Sequence, residues 1–201
     1  MIRILLAEDQ QMIRGALARL LDLETDLTVV AEASSGDEVV ALALETRPDV
    51  ALLDIQMPRL DGLAAAAALR RVMPGCPVLI LTTFTRPGYV RRALEAGAAG
   101  FLAKDGPVVE LADAVRRVVA GERVMDPALA VTALAAGPNP LSPREREVLA
   151  TATYASSVAD ISRILYLSEG TVRNYLSAAI GKTGARNRTE AARIADANGW
   201  L

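Results

Sequence analysis

The sequence predicts an α/β domain with a doubly wound, five-stranded parallel sheet, followed by a small all-α domain. In residues 1–121, short aliphatic runs alternate with segments of helical period, which is the pattern of successive β-α units. Residues 141–201 carry helical patterns and no strand pattern. Between these parts, the Gly-Pro-Asn-Pro run at residues 137–140 cannot continue a helix. We therefore predict two domains, at 1–121 and 141–201, and a partly helical linker at 122–140.

Five runs in the first domain are short, aliphatic and bounded by turn residues, as strands are. The predicted strands are residues 2–7, 27–33, 50–54, 77–82 and 100–103. Segments that follow them have the period of amphipathic helices. The predicted helices are residues 10–23, 35–47, 60–73, 86–96 and 107–120. Since β-α-β crossovers share one hand, we expect a parallel sheet with helices on both faces.

The second domain begins with a clear helix start. In "LSPRERE", Ser142 is placed to cap a helix, Pro143 suits its first position and Glu145 completes a capping box. Asn187 is placed to cap the last helix, with Glu190 at its third position. The predicted helices are residues 143–153, 158–165, 169–182 and 188–197. These helices indicate a compact helical unit.

Composition excludes several kinds of chemistry. The chain has no histidine and one cysteine, so intrachain disulfides, histidine-based triads and histidine metal sites are excluded. Acidic side chains outnumber basic ones in residues 1–140 and the reverse holds in 141–201, which suggests different partners for the two domains. The sequence shows neither a signal peptide nor an apolar stretch of about 20 residues, so we expect a cytoplasmic protein.

Polar residues follow the predicted strands at the point where each strand ends. They are Glu8 and Asp9 after the first strand, Asp54 after the third, Thr82 and Thr83 at the fourth, and Lys104 after the fifth. Each residue alone is typical of a turn or a helix cap. The carboxyl ends of parallel strands meet at one rim, however, so we expect all of them to lie close together.

Clustered carboxylates at this rim favour a hard cation such as Mg²⁺, because like charges repel and Mg²⁺ prefers oxygen ligands. With the cation bound, one oxygen of Asp54 would remain available to attack a phosphoryl donor. Lys104 and the Thr82 hydroxyl would then stabilise the developing negative charge. The residues thus predict phosphoryl transfer to an aspartate.

The motifs "LLAEDQ", "LLDIQMPRLDG", "LILTTF" and "AGAAGFLAKD" resemble those of a response-regulator receiver domain, in the same order and spacing. The resemblance covers residues 1–121 and implies a flavodoxin-like fold with Asp54 as phosphoacceptor. It also implies Mg²⁺ held by Asp9, Asp54 and the backbone carbonyl of Gln56, with Glu8 assisting through water. The implied phosphate and switch residues are Thr82, Thr83, Phe101 and Lys104.

A small helical domain could dock a protein or read DNA, and the segment "LSEGTVRNYLSAAIGK" favours DNA. It predicts a helix after a short scaffold helix and a tight turn, which is helix-turn-helix geometry. On this helix Val172, Leu176 and Ile180 are expected to pack inward. Candidates for base edges are Arg173, Asn174 and Ser177, and candidates for phosphates are Ser168, Thr171, Lys182, Arg186 and Arg188. The alternative is an ordinary solvated polar face.

The runs "LSPREREVL", "LSEGTVRNYLS" and "TGARNRTEA" resemble the LuxR/NarL-type helix-turn-helix domain. Together with the receiver, they make the whole chain similar to NarL/FixJ-family response regulators, and within these to DesR-like regulators. The resemblance implies a sensor histidine kinase and double-stranded promoter DNA as partners. It further implies a homodimer upon phosphorylation, and no direct contact with a membrane.

Small and apolar residues on the first and last helices of the receiver predict a dimer face. They are Met12, Gly15 and Ala18 on the first helix, and Val108, Ala112 and Val119 on the last. The alternative is that alanine and glycine are simply abundant in this chain.

Two rival functions share parts of this pattern. An aspartate-nucleophile phosphatase would place a second aspartate two residues after Asp54, where this chain has Gln56. A regulator that acts without phosphorylation usually lacks one of the rim acids or the lysine, and this chain has all of them. The sequence therefore favours a phosphorylation-dependent DNA-binding regulator that is not an enzyme beyond its own phosphoryl transfer and slow autodephosphorylation.

Overall fold

The computed structural model describes residues 1–83, 87–104, 106–125 and 139–201, which form two compact units. One unit is built on a β-sheet, and the other is all helical. The helical part predicted for the linker falls mostly in residues 126–138, outside the described residues.

The first unit contains a parallel sheet with strand order β2-β1-β3-β4-β5-β6. The strands are β1 (Ile2–Ala7), β2 (Leu27–Ala33), β3 (Val50–Leu53), β4 (Val78–Thr82), β5 (Gly100–Ala103) and β6 (Val124–Met125). The fold class is confirmed, but the predicted strand count was one too low. The added strand β6 has two residues, which pair with Gly100 and Phe101 of β5. So short a strand has no sequence pattern of its own and exists only beside its partner.

Five helices and one turn of 3₁₀ helix connect these strands. They are α1 (Gln11–Asp22), the 3₁₀ turn (Gly36–Glu38), α2 (Val39–Thr46), α3 (Gly62–Val72), α4 (Pro87–Ala96) and α5 (Val108–Val119). The central strands β3 and β4 are buried along their whole length, because neighbours cover both faces. Because the strands are parallel, their carboxyl ends, and the polar residues that follow them, lie along one edge of the sheet.

The second unit consists of α6 (Pro143–Thr151), α7 (Val158–Leu165), α8 (Glu169–Thr183) and α9 (Arg188–Ala197). The capping box at Ser142 and Glu145 forms as predicted, and Asn187 caps α9. A further capping box joins Ser157 and Asp160 at the start of α7. These caps satisfy backbone N–H groups that a short helix leaves open, and so define where each helix begins.

Helix α8 lies against the core of its unit. Val172 and Leu176 are buried as predicted, and Ile180 is partly buried. Ala179 is also buried, although it was not among the residues predicted to pack inward. Within the described ranges, no helix has both the length and the apolar character needed to cross a membrane.

Candidate functional site

The acidic rim forms at the carboxyl ends of β1 and β3. One carboxylate oxygen each from Glu8, Asp9 and Asp54 lie within 4.8 Å of one another. Backbone hydrogen bonds hold two of these residues in place: the Glu8 amide donates to the Ala33 carbonyl at 3.0 Å, and the Asp54 amide donates to the Ala7 carbonyl at 2.9 Å. Glu8 and Asp54 are buried, whereas Asp9 is exposed, so the cluster opens to solvent on one side.

Lys104 enters this cluster from the end of β5. Its ammonium group donates a hydrogen bond to the Glu8 carboxylate and lies 3.1 Å from Oδ2 of Asp54. The Lys104 side chain is only 8% exposed, and its amide donates to the Thr82 carbonyl at 2.9 Å. Three acids and one amine from separate strand ends therefore converge, as the sequence predicted. They are Glu8, Asp9, Asp54 and Lys104.

Burial shapes the protonation of the rim. It raises the pKa of the Glu8 carboxyl above its ordinary value, an effect opposed by the hydrogen bond and charge of Lys104. Asp54 adds to the increase through like-charge repulsion. The ammonium group of Lys104 is thus a single positive charge beside the three carboxylates of the cluster. An oxygen-rich, net negative cluster with an open side suits a divalent cation such as Mg²⁺, and Glu8, Asp9 and Asp54 are the residues that could hold it.

The two oxygens of Asp54 have different surroundings. Oδ1 accepts a hydrogen bond from the Ile55 amide at 2.8 Å, whereas Oδ2 faces Lys104. The loop that follows is closed by a hydrogen bond from the Gly62 amide to the Ile55 carbonyl at 2.9 Å. Gln56 lies in this loop with an exposed side chain. Asp54 is thus oriented by its own loop on one side and by β5 on the other.

The expected switch residues lie on β4 and β5, the next two strands after β3 in the sheet order. Thr82 ends β4 and is fully buried, Thr83 is exposed, and Phe101 is fully buried in β5. In the sheet register, Thr82 pairs with Ala103, and Phe101 pairs with Ile80. Phe101 therefore lies inside the domain in the state that the structure describes.

The second candidate site is the helix α8. Ser168 caps this helix through the Thr171 amide at 3.1 Å, and its hydroxyl lies 2.8 Å from that of Thr171. Helix α7 ends at Tyr166 in a left-handed conformation, and this tight turn leads directly to the cap. Arg173, Asn174 and Ser177 are exposed on α8. The scaffold helix, turn and exposed second helix form a helix-turn-helix.

All four basic residues that were predicted to contact DNA have partners within the helical unit. Arg173 contacts Glu169 at 2.5 Å, Arg186 contacts Glu190 at 3.0 Å and Arg188 donates to the Ser156 carbonyl at 3.0 Å. Lys182 donates to both oxygens of the largely buried Glu145, at 2.9 and 2.7 Å. The capping box was visible in the sequence, but the contact between α6 and α8 depends on tertiary packing.

The structure corrects the predicted dimer face. Ala18 is 7% exposed and Ala112 is 1% exposed, and both belong to the hydrophobic core. They pack inward because α1 and α5 turn these positions toward the sheet, and so they cannot contact a second chain. Met12 and Val119 are exposed, and space is open beside Gly15. Val108 begins α5, and its side chain lies outside the description.

Comparison with known proteins identifies the family of each part of the chain. Residues 4–116 match the response regulator receiver domain, and residues 139–195 match the bacterial regulatory proteins of the luxR family. Two Bacillus subtilis proteins are similar over their full length and the full length of this chain: the uncharacterized transcriptional regulatory protein YvfU, 50% identical, and the transcriptional regulatory protein DesR, 44% identical. The crystal structure of ChrA, a response regulator in a heme-sensing two-component system, covers all of this chain and 98% of its own, with 36% identity and a TM-score of 0.59.

A parallel sheet with an acidic rim, followed in the chain by a helix-turn-helix, defines a two-component response regulator with a DNA-binding output. The resemblance to DesR-like regulators is confirmed. The chain belongs to the LuxR-type (NarL/FixJ) response regulators, which are transcriptional regulators that act by phosphorylation-dependent DNA binding.

Proposed function

We propose that Asp54 accepts the phosphoryl group, with a sensor histidine kinase as its donor. The observation that carries this assignment is the meeting of Asp54 with Glu8, Asp9 and Lys104 at one rim. Glu8, Asp9, Asp54 and the Gln56 carbonyl would hold Mg²⁺, which supplies positive charge for the phosphoryl oxygens. In the transfer, an Asp54 oxygen forms a bond to phosphorus as the phosphorus–nitrogen bond of the donor breaks and its electron pair returns to the imidazole.

The chain's own residues prepare Asp54 for this step. The Ile55 amide holds Oδ1, so the carboxylate cannot rotate freely, and Lys104 is already beside Oδ2. After the transfer, Lys104, Thr82 and Thr83 would stabilise the added negative charge by ion pairing and hydrogen bonding. Movement of Thr82 toward the phosphoryl group, followed by Phe101, would then shift the receiver between two states.

The second state would favour a homodimer that binds double-stranded promoter DNA in the cytoplasm. Met12, Gly15 and Val119 remain the candidates for the dimer face on α1 and α5. Helix α8 would enter the major groove, with Arg173, Asn174 and Ser177 at base edges. Ser168, Thr171, Arg186 and Arg188 would contact phosphates. Lys182 would contribute less, because its ammonium group is held by Glu145.

Beryllofluoride, which mimics an aspartyl phosphate, tests this assignment. With Mg²⁺ and beryllofluoride, we expect the chain to dimerise in sedimentation and to bind promoter DNA more tightly, and Asp54→Asn to lose both responses. Asp49→Asn is the matched control, because Asp49 is exposed and precedes β3, whereas Asp54 follows it. DNA binding that is equally tight without beryllofluoride and in Asp54→Asn would favour the phosphorylation-independent alternative.

A further inference from the structure

The loop after Asp54 is held by an arginine whose partners lie in a different loop. Arg59 contacts Asp37 Oδ1 through Nε at 3.0 Å and Glu38 Oε1 through Nη2 at 3.2 Å. The same Nη2 donates a hydrogen bond to the Ser35 hydroxyl. We call Arg59 with Ser35, Asp37 and Glu38 the Arg59 clamp. It joins the loop between β3 and α3 to the loop between β2 and α2.

The backbone at Arg59 is in an unfavourable conformation. Its φ of 65° lies in the left-handed region, where a Cβ is disfavoured and glycine is the usual residue. Such a conformation persists only where the surroundings hold it. Arg59 therefore has a side chain at a position where the backbone conformation favours glycine. The contacts of this side chain are those of the clamp.

The two loops also interlock through their backbones. A Cβ added to Gly36 would lie 2.1 Å from the carbonyl oxygen of Leu60, the residue after Arg59. Gly36 is buried, and Ser35 is completely shielded from solvent. The loop between β2 and α2 is thus packed closely against the loop that carries Arg59.

The clamped loop directly follows the phosphoacceptor Asp54 in the chain. At its start, the Ile55 amide donates to Asp54 and the Ile55 carbonyl accepts from Gly62. Gln56, whose carbonyl is the proposed Mg²⁺ ligand, lies between this anchor and Arg59. The segment is therefore fixed at both ends, and the clamp supplies the second fixed point.

We propose that Arg59 is a positioning residue that holds the loop carrying the Gln56 carbonyl in the geometry for binding Mg²⁺. The inference rests on the proposed function of the rim. The three charged residues of the clamp are about half exposed, so their ion pairs contribute little to folding. Their effect is on the loop, since a preorganised ligand binds the cation without first being ordered. Loss of Arg59 therefore changes cation affinity more than stability.

Titration of the full chain with Mg²⁺ alone, followed by the amide NMR signal of Ile55, tests the proposal. We expect Arg59→Ala to weaken Mg²⁺ binding about tenfold, the size typical of groups that orient metal ligands. Arg59→Gly, which relieves the left-handed backbone but also lacks the clamp, should be weakened as well. Arg59→Lys should be intermediate, because lysine keeps the charge but not the fork of donors.

Arg116→Ala is the matched control. Arg116 also pairs with two acids, Glu24 and Asp26, but these precede β2, at the opposite end of the sheet from the rim. This variant should bind Mg²⁺ as the wild type does. The double variant Asp37→Asn, Glu38→Gln removes the clamp from its other side and should reproduce the effect of Arg59→Ala.

Wild-type affinity in Arg59→Gly or in the double variant would overturn the clamp and leave the rim assignment intact. No Mg²⁺ binding by the wild type would instead contradict the proposed function itself. Thermal unfolding of each variant, compared with Arg116→Ala, shows whether reduced binding reflects the loop or loss of the fold.

Discussion

At the scale of single residues, Lys104 is a buried cation that contacts two buried carboxylates. Its buried ammonium group lies between Glu8 and Asp54, so it balances two buried carboxylates that would otherwise repel each other. Buried ion pairs often add little to stability, but removal of one partner leaves an uncompensated charge. The same lysine thus serves the fold before phosphorylation and, as proposed, the phosphoryl group afterwards.

Lys104→Met should therefore destabilise the receiver by about 3 kcal/mol, the usual cost of breaking a buried pair. Because two unpaired carboxylates remain, added Mg²⁺ should recover more stability in this variant than in the wild type. Urea unfolding followed by far-UV circular dichroism, with and without Mg²⁺, measures both effects. If Mg²⁺ stabilises the variant no more than the wild type, the cation does not bind among these acids.

Glu145 links pH to the stability of the helical unit. The hydrogen bond from Lys182, together with those at the start of α6, lowers the pKa of this carboxyl. A lowered pKa in the folded state contributes stability that is present above the unfolded value of 4.5 and is lost as the pH falls through the folded value. Glu145→Gln should cost about 1–2 kcal/mol at neutral pH and should reduce this acid dependence.

Trp200, the single tryptophan, packs against the core of the helical unit, so its fluorescence reports the unfolding of that unit. Glu147→Gln on the same helix is the control, since Glu147 is exposed and pairs with Arg144. Equal acid dependence in Glu145→Gln and in the wild type would show that the pair with Lys182 does not couple protonation to folding.

At the scale of secondary-structure elements, patterns that are local in sequence were predicted well. The strands β1 to β5 and the caps at Ser142 and Asn187 could be recognised locally, because an aliphatic run and a capping residue each occupy only a few consecutive positions. Strand β6 and the contact between Glu145 and Lys182 depend on partners that are distant in the chain. The inward positions of Ala18 and Ala112 were missed for a related reason: alanine suits either a surface or a core, so its type does not reveal which way a helix faces.

The burial of Ala18 on α1 leads to a prediction opposite to that of a dimer face at this residue. Ala18→Glu should unfold or strongly destabilise the receiver, because a carboxylate would enter the hydrophobic core without a partner. Met12→Glu, at a position 86% exposed, should leave the fold intact and so can test the dimer. Circular dichroism distinguishes the two outcomes; a folded Ala18→Glu would contradict the observed orientation of α1.

The helix α8 makes a prediction about specificity. Arg173→Ala should lower the affinity for promoter DNA by about 1–3 kcal/mol and relax the preference at one base pair, as expected for a base contact. Arg144→Ala removes an exposed arginine of α6 and should change neither. Selection from a random DNA library, with a salt titration, measures both properties. An equal loss for all sequences would show that Arg173 contacts only phosphates.

At the scale of the whole molecule, the chain combines two units whose sites have different chemistry. The rim of the first is rich in carboxylates and suits a cation and a phosphoryl group, whereas the second exposes basic and amide side chains on α8. The convergence of the rim residues was predicted from their positions at strand ends, and the helix-turn-helix from its helix and turn pattern. The DNA contacts of α8 stay predictions. The Arg59 clamp was not predicted, since its residues become neighbours only when two loops pack together.

The central claim is that a phosphoryl group is transferred to Asp54. Incubation with acetyl phosphate and Mg²⁺, followed by intact mass spectrometry at neutral pH, tests it directly. We predict one added phosphoryl group in the wild type and in the control Asp49→Asn, and none in Asp54→Asn or without Mg²⁺. An added phosphoryl group that persists in Asp54→Asn would contradict the account.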